Sequence, residues 1–120
     1  MTDMAIIGRA GVGIAIMIVL DIVAGFSAAV SRGEVDSQKL REGLMHKLAL
    51  VLGYALAIAL EYENAVLQLG IDVPLVSGVA AYIALMEACS VYENVRLINP
   101  EFEFTNFDNL FKKVKGDRDE

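Results

Sequence analysis

Acidic side chains stand inside runs of apolar sequence, where their charges need an explanation. Asp21 interrupts the first apolar run, and the third ends in the segment Glu87-Ala-Cys-Ser-Val-Tyr-Glu-Asn94. On a helix, Glu87, Ser90 and Asn94 share one face because they follow an i, i+3, i+7 spacing. Glu93 lies about 120° away round the same helix, since each residue advances roughly 100°. In a soluble helix such residues form a solvated edge, whereas in a bilayer they must face protein or water.

The sequence offers few residues for catalysis or metal binding. Cys89 is the only cysteine, which excludes an internal disulfide and a cysteine-based zinc site, and His46 is the only histidine. Neither residue has an activating partner nearby in sequence. We therefore interpret them as a buried apolar side chain and an interfacial imidazole. We expect no enzymatic activity, no metal and no cofactor.

The composition favours a single membrane domain. Hydrophobic residues make up 56% of the 120 residues, and the mean hydropathy is +0.52, both high for a soluble domain of this size. The net charge of −6 argues against a nucleic-acid partner, because no basic face is available to neutralise phosphates. The first apolar run is too long for a signal peptide and carries Asp21 at its centre, so we expect it to be mature sequence.

Three apolar runs have the length of membrane-spanning helices, and we predict spans over residues 10–31, 44–62 and 73–95. At 1.5 Å per residue the first span is roughly 33 Å long, enough to cross a hydrocarbon core. Insertion of Asp21 costs about 2.5–3.5 kcal/mol, which several apolar residues worth about 0.3–0.6 kcal/mol each offset. The predicted fold is therefore an all-α membrane protein with three transmembrane helices.

Polar stretches connect these runs. In the first, we predict that Ser37 caps a short helix beginning at Gln38. The second, Glu61–Asp72, has three acidic residues and no Lys or Arg, and we interpret it as a loop. Pro74 fits the first turn of the third helix, where its missing N–H is harmless. Lys47, near one end of the second span, is expected to snorkel towards the membrane surface.

Small residues recur at the spacing that lets membrane helices pack closely. Asp21, Gly25, Ala28 and Arg32 form one stripe of the first helix, which indicates a packing face that carries a buried or water-lined acid. The alternative is that Gly and Ala are simply frequent in membrane helices. The predicted helix-packing residues are Gly25, Ala28, Ala29, Gly53, Ala57 and Ala84.

The distribution of basic residues predicts the topology. Lys and Arg are concentrated in the loop between the first two spans and in the segment after Arg96, and the other loop has none. By the positive-inside rule the N-terminus is outside and the C-terminus is cytoplasmic.

The C-terminal segment has a pattern of its own. Apolar residues at i, i+3, i+4 and i+7 predict a short amphipathic helix on the cytoplasmic leaflet, with a capping-box spacing between Thr105 and Asp108. A partner-binding helix is the alternative. The apolar positions are Phe107, Leu110, Phe111 and Val114.

Taken together, these residues resemble the phage holin family that is also described as toxin-secretion/phage-lysis holins. The similarity lies in Glu87-x-x-Ser90-x-x-Glu93-Asn94, which looks like the family's EGLSILEN-type signature. It extends over Leu20-Asp21-Ile22-Val23-Ala24-Gly25, Ala28-Ala29, Ser37, Gly43 and Lys47. The chain departs from the family after Asn94, where Val95-Arg96-Leu97-Ile98-Asn99-Pro100 replaces a glycine-containing turn.

The resemblance implies a multi-pass protein of the bacterial host's inner membrane, with a holin-like domain over residues 1–100 and a cytoplasmic tail over 101–120. Such a protein forms homo-oligomers in membrane lipid and opens a lesion for an endolysin or a secreted toxin. No catalytic chemistry is implied.

Three hypotheses follow for the function. The first is a pore former, in which the polar residues at positions 21, 47, 87, 90, 93 and 94 pair between helices or line water. Before the pore opens, the acids are protonated or paired with Lys47 or Arg32. Glu93 is expected to meet Arg96 or Lys47. The second hypothesis is an ion- or proton-coupled membrane subunit that uses the same carboxylates as a relay. The third is a soluble acidic helical bundle.

Overall fold

The protein is a bundle of three long helices. The computed structural model describes residues 2–103 together with Asn109, Lys112, Lys113 and Gly116. The helices are α1 (Met4–Ser31), α2 (Ser37–Leu67) and α3 (Leu75–Ile98), and the described residues contain no strand. All three are long and apolar enough to cross a membrane, with mean hydropathies of 2.3, 1.7 and 1.6 over their most apolar stretches. The prediction of three apolar helices is confirmed.

Aspartate side chains start the first two helices. The Asp3 carboxylate accepts a hydrogen bond from the Ala5 N–H at 2.7 Å, and the Asp36 carboxylate accepts one from the Gln38 N–H at 2.9 Å. The prediction of a separate short helix capped by Ser37 is wrong. Ser37 is the first helical residue of α2, because Asp36 stands in extended backbone one residue earlier and supplies the cap.

The connection between α2 and α3 is shorter than the sequence suggested, since α2 continues to Leu67 and includes Glu61. The Asn64 side chain closes this connection: its amide Nδ2 donates to the Ile71 carbonyl at 2.8 Å, and its Oδ1 accepts from the Ile71 N–H at 3.1 Å. Pro74 directly precedes the first residue of α3, where it cannot interrupt a helical hydrogen bond.

Each helix turns a stripe of residues with near-heptad spacing towards its neighbours. In α1 the buried residues are Ile14, Asp21 and Ala28, each seven positions from the next. α1 packs against α3 along much of its length, whereas α2 packs mainly on α3 and contacts α1 little. The apolar centre is formed by Ile14, Ala80 and Ile83. Every inward stripe also carries a polar residue, and these polar residues form the candidate site.

The outward surface of the bundle is apolar. Only 6% of the most apolar stretch of α2 is buried by the other helices. Large side chains such as Val19, Leu52 and Leu56 are more than half exposed along the helices. A soluble bundle would bury such residues, so this surface fits lipid or further copies of the chain and does not fit the soluble hypothesis.

The polypeptide turns back after α3, and Phe102 packs against Tyr92 with ring centroids 6.3 Å apart. The predicted amphipathic helix, with Thr105, Phe107, Asp108, Leu110, Phe111 and Val114, lies outside the described residues.

Candidate functional site

One charged residue from each helix meets at the centre of the site. The Lys47 Nζ lies 2.5 Å from Asp21 Oδ2 and 3.0 Å from Glu87 Oε2, and it also donates to Glu87 Oε1 at 3.3 Å. Asp21 and Glu87 retain only 6% and 3% of their accessible surface, and the Lys47 side chain 13%. We call these three residues the ion triad. One ammonium group therefore bridges two buried carboxylates.

The helix lengths bring the ion triad into one layer. Asp21 and Glu87 lie about ten residues before the ends of α1 and α3, and Lys47 about ten after the start of α2, or roughly 15 Å along each helix. α1 and α3 run in the same direction, and α2 runs opposite to both. The three positions therefore coincide in depth, although they are far apart in sequence.

Polar neutral side chains of α3 surround Asp21. The Asn94 amide Nδ2 donates to Asp21 Oδ1 at 3.1 Å, and Ser90 lines the same cleft as Asp21. A β-carbon at Gly25 would lie 3.5 Å from Asn94 Nδ2, an ordinary van der Waals distance, so Gly25 faces the amide directly. The face of Glu87, Ser90 and Asn94 drawn from the sequence thus points into the bundle.

Of the two basic residues predicted as partners of the buried acids, Lys47 pairs with them and Arg32 does not. Arg32 pairs with Glu34 at 2.6 Å on the exposed surface and does not reach Asp21. Lys47 does not snorkel, because its ammonium group turns inward towards two carboxylates. Glu93 is exposed and lies on a different side of α3 from the ion triad.

The predicted packing residues occupy different environments. Ala28 and Ala57 are buried, and Gly25, Ala29, Gly53 and Ala84 are partly buried. A β-carbon at Gly53 would meet no atom within 4 Å. Gly53 is therefore not needed for close packing within this bundle, and a role in contacts between copies stays a prediction.

An open cleft connects the ion triad with the loop between α1 and α2. Its volume is about 610 Å³, and Asp21, Lys47, Ser90 and Asn94 line its inner end. Glu34, Asp36, Lys39 and His46 line the outer part. The cleft opens between α1 and α2, which contact each other little, and it leads from the triad to the loop side.

A second polar centre lies at the opposite end of the bundle, around Glu61. Its Oε1 accepts hydrogen bonds from the Thr2 N–H at 2.7 Å and the Thr2 hydroxyl at 2.8 Å. Its Oε2 lies 2.7 Å from the same hydroxyl and accepts from the Val76 N–H at 2.6 Å. Only 5% of Glu61 is exposed. The carboxylate thus ties residue 2 and the first turn of α3 to α2.

The importance of Glu61 was not predicted, because the residue stands at the end of the predicted second span and was counted among the acids of the following connection. The signal was its spacing: Lys47, Tyr54 and Glu61 lie seven residues apart, with Ala57 on the same side. In a membrane helix, polar residues repeating at this spacing mark the side that faces protein.

An apolar layer separates the two polar centres. Ile14, Ala80 and Ile83 fill it, and Tyr54 packs against them. The Tyr54 hydroxyl donates to the Ile7 carbonyl at 2.7 Å. A second cleft, of about 470 Å³, reaches Glu61 but lies at the other end of the bundle from the ion triad.

Fold and site together define a multi-pass helical membrane protein whose buried charged side chains are bonded between helices. The family model of the bacteriophage holin family matches residues 7–105. The chain belongs to the bacteriophage holin family. No curated protein and no solved structure shows a significant match to it.

The first prediction concerns Lys47. Lys47→Met removes the shared cation and leaves two buried carboxylates, so we expect a loss of about 3–5 kcal/mol in the free energy of unfolding. Chemical unfolding of the purified protein in detergent measures this loss. Lys39→Met, on the exposed side of the same helix, is the matched control and should change stability little. The triple variant that combines Lys47→Met with Asp21→Asn and Glu87→Gln should regain much of the lost stability. Equal stability of Lys47→Met and the control would contradict the role assigned to the triad.

The second prediction concerns Glu61. Glu61→Gln replaces a charged acceptor of several hydrogen bonds by a neutral amide, and we expect a destabilisation of about 1–3 kcal/mol. Limited proteolysis should then cut the first residues of the chain faster, because Thr2 is held less firmly. Glu63→Gln, exposed on the same helix, provides the comparison. Equal cleavage rates in both variants would show that Glu61 does not hold the N-terminal segment.

Proposed function

We propose that this protein is a pore-forming holin without catalytic activity. It accumulates in the cytoplasmic membrane of the bacterial host, forms homo-oligomers and permeabilises the membrane, so that an endolysin or a secreted toxin can cross. The observation that carries this proposal is the ion triad, which links three apolar helices inside a bundle that presents an apolar surface outward. Membership of the holin family supports it.

The triad explains how such a protein stays harmless before it opens. Each helix contributes one charge, so no helix can leave the bundle without carrying an unpaired charge into lipid. Separation of the helices becomes favourable where their charged side chains are hydrated. The lumen of an oligomer supplies this water, and the inward stripes carrying Asp21, Lys47 and Glu87 would then line it.

We further propose that the N-terminus is outside and that the α1–α2 loop is cytoplasmic. Lys39, Arg41 and Lys47 all belong to the first part of α2, whereas the α2–α3 connection carries no Lys or Arg. In this orientation the cleft that reaches the ion triad opens towards the cytoplasm, and Glu61 lies at the outer side.

The alternative of an ion- or proton-coupled subunit receives less support. A relay needs polar groups along its whole length, but Ile14, Ala80 and Ile83 lie between the ion triad and Glu61. Within residues 2–103 the two centres are thus separated by an apolar layer, which fits a closed bundle better than a proton path.

The third prediction tests the proposed function in cells. Expression together with an endolysin should lyse a bacterial culture abruptly after a delay, and expression alone should stop growth without dissolving the wall. Asp21→Ala and Glu87→Ala weaken the closed bundle, so we expect the lysis time to change or lysis to be lost. Culture turbidity records the time, and Glu63→Ala is the control at an exposed acid.

The size of the solutes that cross the membrane distinguishes a pore former from an ion-coupled subunit. In vesicles containing the purified protein, a pore former releases dextrans as well as small dyes, whereas an ion-coupled subunit passes only ions. Lysis times that stay unchanged in both acid variants would remove these acids from the mechanism. Retention of dextrans under conditions that pass protons would contradict the pore.

A further inference from the structure

We propose that Asp21 and Glu87 bind a single proton between them in the closed bundle, and that this proton exchanges through the cleft on the α1–α2 loop side. The proposal rests on the charges and contacts of the ion triad. Two carboxylates face one ammonium group, and both are almost completely buried. If both were ionised, the triad would carry a net negative charge within a membrane-spanning bundle, which is costly.

The two carboxyl groups converge on one nitrogen atom. Asp21 Oδ2 lies 2.5 Å and Glu87 Oε2 lies 3.0 Å from Lys47 Nζ, so these two oxygens cannot be far apart. Two buried carboxyl groups that share one site retain one proton, because ionising both would place two like charges beside a single cation. The proton brings the charge of the triad to zero.

The remaining neighbours do not replace this proton. Ser90 and Asn94 are neutral, and Lys47 already donates to both acids. At the outer part of the cleft, the titratable groups are Glu34, Asp36, Lys39 and His46. Arg32 pairs with Glu34 on the surface, so among the described residues Lys47 is the cation that contacts the two acids.

The geometry assigns the proton to one side of the membrane. The cleft of about 610 Å³ leads from Asp21 to the α1–α2 loop. In the other direction the apolar layer of Ile14, Ala80 and Ile83 closes the route to Glu61. The triad therefore equilibrates with the compartment that contains the α1–α2 loop, which is the cytoplasm in the proposed topology.

The consequence for opening rests on the proposed function. The closed bundle holds the proton, whereas carboxylates lining a water-filled lumen are ionised near neutral pH and have released it. The state that binds more protons gains stability as pH falls. A higher pH on the loop side therefore favours opening, with a change of up to about tenfold in the opening equilibrium per pH unit for one proton.

The proton itself can be observed in the full chain. Carbon-13 NMR of the protein in vesicles, with labelled aspartate and glutamate side chains, should show one protonated carboxyl group near pH 8. Glu87→Gln and Asp21→Asn should each abolish this signal, because a single carboxylate then pairs with Lys47. Glu61→Gln should leave it unchanged. Two neutral variants are used so that the test remains valid if one of them misfolds. Circular dichroism checks that each variant is helical.

Other outcomes of this experiment overturn the proposal. A signal that persists in both neutral variants belongs to another carboxyl group. Absence of the signal in the wild type means that both acids are ionised. If stability then depends on Na⁺ and is lost when a bulky organic cation replaces it, a sodium ion occupies the site instead of a proton.

Dye release from the same vesicles tests the link to opening. Raising the pH on the loop side should increase release by the wild type up to about tenfold per pH unit, while Glu87→Gln should respond little. His46→Gln should behave like the wild type, which excludes the imidazole as the titrating group. Release without pH dependence and without the NMR signal overturns the proton site but leaves the pore. The NMR signal without any release supports the proton site and contradicts the proposed function.

Discussion

The bridge from Lys47 to Asp21 and Glu87 is the interaction on which the rest of the structure depends. Apolar side chains alone give three helices little free-energy preference for one arrangement in lipid, because lipid tails are as apolar as the side chains. A buried ammonium group with two carboxylate partners fixes the depth of all three helices at once. The hydrogen bond that Asn94 donates to Asp21 then follows from this register.

Glu61 fixes the opposite end of the bundle by different means. It holds backbone N–H groups and the Thr2 hydroxyl, and its partners lie at the beginning of α1 and α3. Between the two centres the packing is mostly apolar, with one hydrogen bond from the Tyr54 hydroxyl to the Ile7 carbonyl. The polar centres thus set direction and register, while Ile14, Ala80 and Ile83 form an apolar layer between two clefts. This arrangement stabilises a bundle in which the two polar centres are kept apart.

In the proposed function, the same interactions would give the bundle a way to change state. Pairing within one chain and hydration in an oligomer are alternative solutions for the same three charges. The apolar outer surface, least covered on α2, would let copies of the chain accumulate in the membrane before the charges are exposed. Under this proposal, the stability of the closed form and its readiness to open depend on one set of side chains.

The sequence by itself determined the three apolar helices, the family, and the inward direction of Asp21 and of the face of Glu87, Ser90 and Asn94. These follow from hydropathy and spacing, which are local properties. It did not determine that Lys47 turns inward, because snorkelling and pairing are equally compatible with a lysine near a helix end. Nor did it reveal Glu61, whose partners are a backbone N–H of α3 and a residue 59 positions away. Only the tertiary structure decided these points, since depth and rotation of one helix against another arise from contacts between distant residues.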